Sequence, residues 1–410
     1  MAQTTTRQPD AALLRRPGAR PMLLAALIVT AVFVLSNSPT PLYVYWQREL
    51  GFSAGMLTVI FAAYMVGLLL TLTVAGQFAD RFGRKSVLIP GLVLALVACS
   101  LFGVASSVLV LVIARFLTGV AVGVIVSAGM AAVVDLGGPA RRRQASLAAS
   151  VAMVFGAGLG PLLSGLFAQR MATPAPVIFA VEFVLLATAL AIAIFLPLRR
   201  PPASQSADTA EARFSLHLPS VPKRNQRHLA YGIAVFAPGI TATSFVLSLG
   251  PSLLSNLLNA SSPLVAGGMA CAMFLAATGV QFTVSRVPVR SILLLGSGAT
   301  LAAMASLIIA VNAAVPAILI LSALLAGIGQ GLGQLGGLTL IGTHVPGNHR
   351  AEANAVLNIG GYIPAGLLSV ATGYLINGIG LSAGATLFAA VLAVAAIAGG
   401  ILVRRDLSPH

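Results

Sequence analysis

Apolar runs of about 20 residues, each long enough to carry an α-helix across a bilayer, recur along the whole of this 410-residue chain. Twelve can be marked, at approximately 21–45, 55–78, 86–105, 107–135, 145–168, 176–198, 229–252, 263–284, 290–312, 315–342, 352–376 and 381–403; they are numbered here as spans 1–12. Hydrophobic residues make up 58% of the chain and charged ones 8%, so too little polar material remains to clothe a water-soluble surface. The sequence therefore predicts an all-α polytopic membrane protein. The apolar stretch from Met22 to Leu35 exceeds the core of a signal peptide, and no small-x-small site precedes a soluble domain, so span 1 is read as retained.

Charge sets the orientation. With the N-terminus inside, every one of the 24 Lys and Arg falls in a cytoplasmic segment except Arg48 and Arg170, which lie outside, and Arg115, which lies within span 4. The same asymmetry accounts for a net charge of +15 through anionic lipid headgroups, without nucleic acid. Cys99 and Cys271 fall inside spans 3 and 8 and read as small membrane-buried thiols, with neither a disulfide framework nor metal-ligand spacing. Nothing calls for a cofactor.

The one long polar connection, Arg199 to His228, is rich in Pro, Ser and charge. It divides the chain into a tail (1–20), a six-helix bundle (21–198), a cytoplasmic linker (199–228), a second six-helix bundle (229–403) and a short tail (404–410). The halves repeat weakly: Arg81, Lys85 and Ser86 recur at the same spacing as Arg286, Arg290 and Ser291, and Gly119 and Gly123 as Gly327 and Gly331. Parallel six-helix repeats are an architecture of secondary transporters, with the substrate site between the halves near the midplane.

Several polar residues stand out against the apolar background. In GQFADRFGRK, between spans 2 and 3, Gly83 suits a tight turn and Gly76 a close helix approach. Arg81, Arg84 and Lys85 hold that turn inside, while Asp80 is able to accept hydrogen bonds from a helix N-terminus or pair with an Arg. Arg115 sits about eight residues, or ~12 Å, into span 4, where a base normally faces a cavity or a partner. Gly156, Gly160 and Ser164 form a small-residue stripe in span 5, beside Pro161. Asn37 and Tyr43 in span 1, Tyr64 in span 2, Gln330 and Gln334 in span 10, and Asn354, Asn358 and Tyr362 in span 11 are candidates either for lining a cavity or for interhelical hydrogen bonds. Of the nine acidic residues, all but Glu49, in an outer loop, and Glu182 fall in cytoplasmic segments. Glu182 lies about six residues, or ~9 Å, into span 6, where a carboxyl could load and unload protons.

The opening of that loop, Gly76, Ala79, Asp80, Arg81, Phe82, Gly83, Arg84 and Lys85, resembles the G-x-x-x-D-R-x-G-R-[RK] signature of the major facilitator superfamily. Two further stretches resemble its drug/proton antiporter branch. One is Arg115, Gly119 and Gly123 in span 4; the other is Gly156, Gly160, Pro161 and Gly165 in span 5, with Ser164 in place of a glycine and Leu147 where an earlier one is usual. The resemblance implies two pseudo-symmetric six-helix bundles and a central cavity formed mainly by spans 1, 4, 7 and 10. It also implies a gate at the 76–85 cluster that latches the halves at the cytoplasmic face. The matching loop keeps Arg286 and Arg290 but has Ser285 where the acid would be, and span 1 offers Asn37 instead of the embedded acid common in that branch. Span 6 belongs to the family's outer layer, which sets Glu182 away from the cavity.

An intramembrane enzyme would need a nucleophile with a base, paired carboxylates or a metal cluster at membrane depth, and the spans supply none. A receptor or scaffold would usually carry a folded domain outside the membrane. The expectation is a monomeric alternating-access transporter in a bacterial inner membrane, both termini cytoplasmic, exporting small lipophilic or weakly polar compounds against protons. Substrate contacts are expected from Asn37, Tyr64, Arg115, Gln330, Gln334, Asn358 and Tyr362, and proton coupling from Glu182. The alternative is a carrier taking up a small polar or anionic nutrient. Asp80→Asn should impair transport while leaving expression and substrate binding largely intact, since it removes a gate contact and leaves the cavity alone. An unchanged transport rate would reduce the cluster to topogenic charge.

Overall fold

The computed structural model describes residues 19–198, 221, 223–257, 262–284, 286–346 and 349–406. Of the expected tails and linker, residues 1–18, 199–220, 222 and 407–410 lie outside the described residues. Twelve helices among those described are long and apolar enough to cross a membrane. In chain order they are α1 (Ala19–Leu50), α2 (Ala54–Phe82), α3 (Arg84–Gly103), α4 (Val108–Gly137), α5 (Arg142–Arg170) and α6 (Pro174–Phe195). The second set is α7 (Lys223–Ser252), α8 (Pro263–Thr283), α9 (Val289–Ala313), α10 (Pro316–His344), α11 (Arg350–Ile379) and α12 (Leu381–Asp406).

Two boundaries differ from the hydropathy reading in instructive ways. Helix α7 begins at Lys223, not at 229, because the apolar count marks only the part inside the hydrocarbon while the helix continues as a polar turn. There Asn225 Nδ2 donates to the His344 carbonyl at 2.7 Å, and the His228 and His344 rings stack with centroids 3.9 Å apart. Helix α1 is broken: Ala19–Asn37 and Pro39–Leu50 meet at Ser38. Pro39 and Pro41 bring no N–H to the ladder, and a proline ring clashes with the carbonyl four residues back. Such breaks persist in a membrane only where other groups resatisfy the backbone.

The pseudo-symmetry is visible in which helices touch. In the first half α1 packs on α5, α2 on α4 and α3 on α6; six helices later α7 packs on α11, α8 on α10 and α9 on α12. Across the halves α5 packs on α8 and α2 on α11. Glycine sets these distances. A Cβ on Gly119 of α4 would collide with the Tyr64 carbonyl of α2, and one on Gly67 with the Phe116 carbonyl of α4. The repeat of Gly119 and Gly123 at Gly327 and Gly331 has the same use, since both of the latter bring α10 against α8 carbonyls, at Met273 and Ala277. Lipid tails are as apolar as leucine, so helices in a bilayer associate through such close approach and not through burial of apolar surface from water.

Gly119→Ala should therefore force α2 and α4 apart and lower stability by ~1–3 kcal/mol, the usual cost of overpacking. Gly298→Ala in α9 is the control: nothing lies within 4 Å of the place its methyl group would take, so it should be neutral or slightly stabilising. Melting curves in detergent check both, and equal melting of the two variants would show that the Gly119 approach is not tight.

Candidate functional site

One end of the molecule carries Arg81, Arg84, Lys85, Arg141, Arg286, Arg290, Arg350 and Arg404; it is the basic end, and the opposite one the far end. Among the described residues, three side-chain hydrogen bonds join the two halves toward the far end. Ser252 Oγ of α7 donates to Gln47 Oε1 of α1 at 3.0 Å, Ser262 Oγ to Gln169 Oε1 of α5 at 2.9 Å, and Asn377 Nδ2 of α11 to Ser53 Oγ at 3.3 Å. Backbones also close in there: a Cβ on Gly165 of α5 would stand 2.5 Å from the Pro263 carbonyl, and one on Gly267 of α8 would strike the Pro161 carbonyl. A recess of about 290 Å³ opens beside these contacts, lined by Pro41, Tyr45, Arg48, Glu49, Pro251 and Pro263 among others. At the basic end, the Arg84–Asp135 ion pair and the bonds from Lys85 to the Ile194 carbonyl, Arg290 to the Arg404 carbonyl and Arg350 to the Gly342 carbonyl each stay within one half.

Between the halves, α2, α10 and α11 present the polar side chains singled out in the sequence. Tyr64, Gln330, Gln334, Asn358 and Tyr362 are all half-buried. Tyr64 and Tyr362 are electrostatic neighbours across the α2–α11 contact, and the Gln330 backbone lies against Gly239 of α7. Asn358 Nδ2 donates to the Asn354 carbonyl at 2.8 Å. Among the described residues, the Tyr64 and Tyr362 hydroxyls and the Gln330 and Gln334 amides have no hydrogen-bond partner in the protein. Interhelical hydrogen bonding, the other use such groups have in a membrane, therefore does not account for them.

Arg115 is expected as a substrate contact. Its exposure is 1%, and its side chain lies against helix α1. Nε donates to the Tyr43 hydroxyl and Nη1 to the Ser36 carbonyl at 2.6 Å, on either side of the α1 break, while Nη2 has no partner. The guanidinium carbon stands 5.2 Å from the Tyr43 ring centre, 5.6 Å from that of Phe61, and 5.9 Å from those of Tyr64 and Phe102. Aromatic faces offer a desolvated cation the negative lobe of their quadrupole.

Glu182 reaches the same break from the other side. Helix α6 packs on α3, α1 and α5, in keeping with an outer position, yet Glu182 is 2% exposed and in contact with Ser38. Ser164 of α5 donates to the Ser38 carbonyl at 2.6 Å, and Asn37 Nδ2 donates to Ser36 Oγ at 2.8 Å. The stretch Ser36–Asn37–Ser38–Pro39 is thus a meeting point that single-residue reading misses. Its signal is two prolines among hydroxyl residues inside an apolar span.

The remaining sequence candidates are structural neighbours of these groups. Gly156 and Gly160 of α5 pack on the Thr30 and Val34 carbonyls of α1, while Gly165 faces α8. In the 76–85 loop Gly83 has φ +90°, a conformation that suits glycine, and α3 starts at the next residue. The Arg81 guanidinium lies 5.5 Å from the Phe82 ring centre. Gly76 and Asp80 belong to α2, but their surroundings lie outside what is described.

Comparison with known proteins agrees with this architecture. The family model described as Major Facilitator Superfamily matches residues 22–313. A protein named multidrug resistance protein 1 from Bacillus subtilis (strain 168) is 32% identical over 155 residues, covering 38% of this chain and 39% of that protein. The match thus spans well under two thirds of the relative's length. Among solved structures, a POT family transporter in complex with a thioalcohol-conjugated peptide superposes with a TM-score of 0.76 at 12% identity, over 95% of this chain and 96% of that one. A nucleoside transporter superposes with a TM-score of 0.70 at 15% identity, over 94% of this chain and 100% of that one. At such identities these likenesses speak for the fold alone.

Arg115→Lys should retain the fold and lower the transport rate by roughly tenfold or more, because a lysine ammonium lacks the planar fork that serves Tyr43 and Ser36 at once. Wild-type rates in that variant, measured on protein reconstituted in liposomes, would show that the fork is dispensable.

Proposed function

The chain belongs to the major facilitator superfamily, and from that premise we propose that it exports small lipophilic or weakly polar compounds in exchange for protons, by alternating access to one cavity between the halves. A multi-pass membrane transporter of a small molecule follows from the family and the twelve spans; the export, its coupling and the residues involved are the proposal. The observation that carries it is the set of unpartnered groups on Tyr64, Tyr362, Gln330 and Gln334, which stand half-buried between the halves. Weakly polar hydroxyls and amides beside aromatic faces suit a ligand with much apolar surface and few fixed charges. The names of the relatives from Bacillus subtilis point the same way.

On this reading the basic end is cytoplasmic, where positive charge is retained, and the contacts toward the far end hold the outer side shut. The loop at 76–85 and the Arg84–Asp135 pair belong to the gate at the basic end. Asn37 and Asn358 add polar lining, Arg115 acts through α1, and Glu182 carries the proton. Uptake of a small polar nutrient is the second reading, favoured by the concentration of amides at Gln330, Gln334 and Asn358.

The direction of proton flow separates the two. In liposomes loaded with a pH-sensitive dye, export coupled to protons moves protons opposite to an added lipophilic fluorescent substrate, whereas uptake by symport moves both together. Tyr362→Phe combined with Gln334→Ala should weaken binding of that substrate by about tenfold, the weight of a hydrogen bond or two. Glu182→Gln should leave binding intact and remove the response of transport to an imposed pH gradient. Normal gradient-driven transport by this variant would take the proton off Glu182.

A further inference from the structure

We propose that Ser38 is the positioning residue through which Glu182 acts on helix α1: the proton on Glu182 decides whether the Ser38 hydroxyl closes onto α1 itself or turns to α6. The proposal rests on the reading of Glu182 as the proton site and adds the element that site moves. It comes from counting protons. Ser38 Oγ lies 2.8 Å from the Val34 carbonyl and in hydrogen-bond contact with Glu182 Oε1. A hydroxyl has one proton to donate. With Glu182 ionised, two acceptors compete for it, and the charged one forms the stronger bond. Ser38 then turns to α6, leaving the Val34 carbonyl with only the Ser38 backbone N–H, at 3.2 Å. With Glu182 protonated, the carboxyl donates to Ser38 Oγ, Ser38 donates to Val34, and the turn of α1 before the break is closed by both of its donors.

The surroundings leave Ser38 as the outlet for this change. Helix α3 presents the Cys99 thiol, an electrostatic neighbour of Glu182 whose Sγ donates to the Phe179 carbonyl at 3.1 Å. Helix α5 presents Ser164, which donates to the Ser38 carbonyl at 2.6 Å or to the Gly160 carbonyl at 2.9 Å, so that it too has one proton for two acceptors. Arg115, from α4, donates to α1 on the other side of the break. The second carboxyl oxygen, Glu182 Oε2, is buried with no partner. Whatever Glu182 gains or loses is therefore passed to the two segments of α1, one running to the basic end and the other joined to α7 near the far end through Gln47.

The chain carries its own reporter. Its one tryptophan is Trp46, in the Pro39–Leu50 segment of α1, stacked on Phe102 at 5.9 Å and on Phe179 of α6 at 6.2 Å. Trp46 emission from the purified full chain in lipid nanodiscs is expected to change through one transition as the pH is varied. Glu182→Gln should hold the acid-side emission at every pH, since its amide donates to Ser38 as the protonated acid does. Ser38→Ala should lose the transition, and the pH profile of transport should flatten with it; Ser38→Thr, which restores a hydroxyl, should recover both. A Ser38→Ala protein that titrates like the wild type while Glu182→Gln stays flat would overturn the role of Ser38 and leave Glu182 as proton site. A transition unchanged in Glu182→Gln would overturn both.

Discussion

Helix α1 breaks at Ser38 inside the membrane, and the polar organisation of the first half follows from that break. A backbone interrupted by Pro39 and Pro41 cannot complete its own ladder, and hydrocarbon offers no water to complete it. Pro39 and Pro41 leave the Leu35 and Asn37 carbonyls without their helical donors, and neighbouring helices bring donors to the carbonyls beside them: Arg115 of α4 to Ser36 and Ser164 of α5 to Ser38. The serine needs short reach, and Gly160, one turn before Ser164, brings α5 onto the Val34 carbonyl of α1; the longer arginine crosses to α1 from α4, whose Gly119 packs on α2. At the α1–α5 contact, small and polar residues are thus two aspects of one requirement: the glycine allows the approach that the hydrogen bond demands.

On the proposed reading the halves move as bodies. Among the described residues, each half is tied internally at the basic end by charged side chains reaching carbonyls or an acid, whereas the bonds named between halves are neutral and toward the far end. Neutral hydrogen bonds contribute about 1 kcal/mol each on balance, so a handful of them makes a seal that can form and open without a large change in free energy. An ion pair buried across that seal would resist opening, because separating its members strands charge in a low-dielectric setting.

How much of this is legible in the sequence depends on the range over which each signal acts. The spans, the two halves and the turn at Gly83 are local or periodic features, and a glycine repeat such as Gly119/Gly123 with Gly327/Gly331 announces equivalent crossings without revealing the partner. Hydropathy averaged over a span is blind to two prolines within it, so the break in α1 goes unmarked. Arg115 and Glu182 can be recognised as costly and therefore purposeful, yet their common destination cannot, because Ser36 and Ser38 lie far from both in the chain and only the packing of α4, α5 and α6 around α1 joins them. The unpartnered state of Gln330, Gln334, Tyr64 and Tyr362 is likewise a statement about what is missing around them, which no spacing rule encodes.

That geometry constrains how a proton and a substrate would influence each other. Arg115 is enclosed by rings and α1, and Glu182 by α1, α3 and α5. On the proposed reading the proton and the substrate therefore share no carboxylate, and their coupling runs through an element both sites bias. Helix α1 is the candidate, since Asn37 sits at the break, next to the residue that Glu182 holds. Coupling of that kind is reciprocal: if a proton on Glu182 favours one setting of α1, and that setting binds substrate more weakly, bound substrate must lower proton affinity by the same factor. About 1.4 kcal/mol of preference for one setting supplies a tenfold effect in each direction, which is within what one contested hydroxyl proton beside a buried carboxyl can provide. An exchanger built this way needs no charge on its substrate, and that accords with a cavity whose polar groups are amides and hydroxyls.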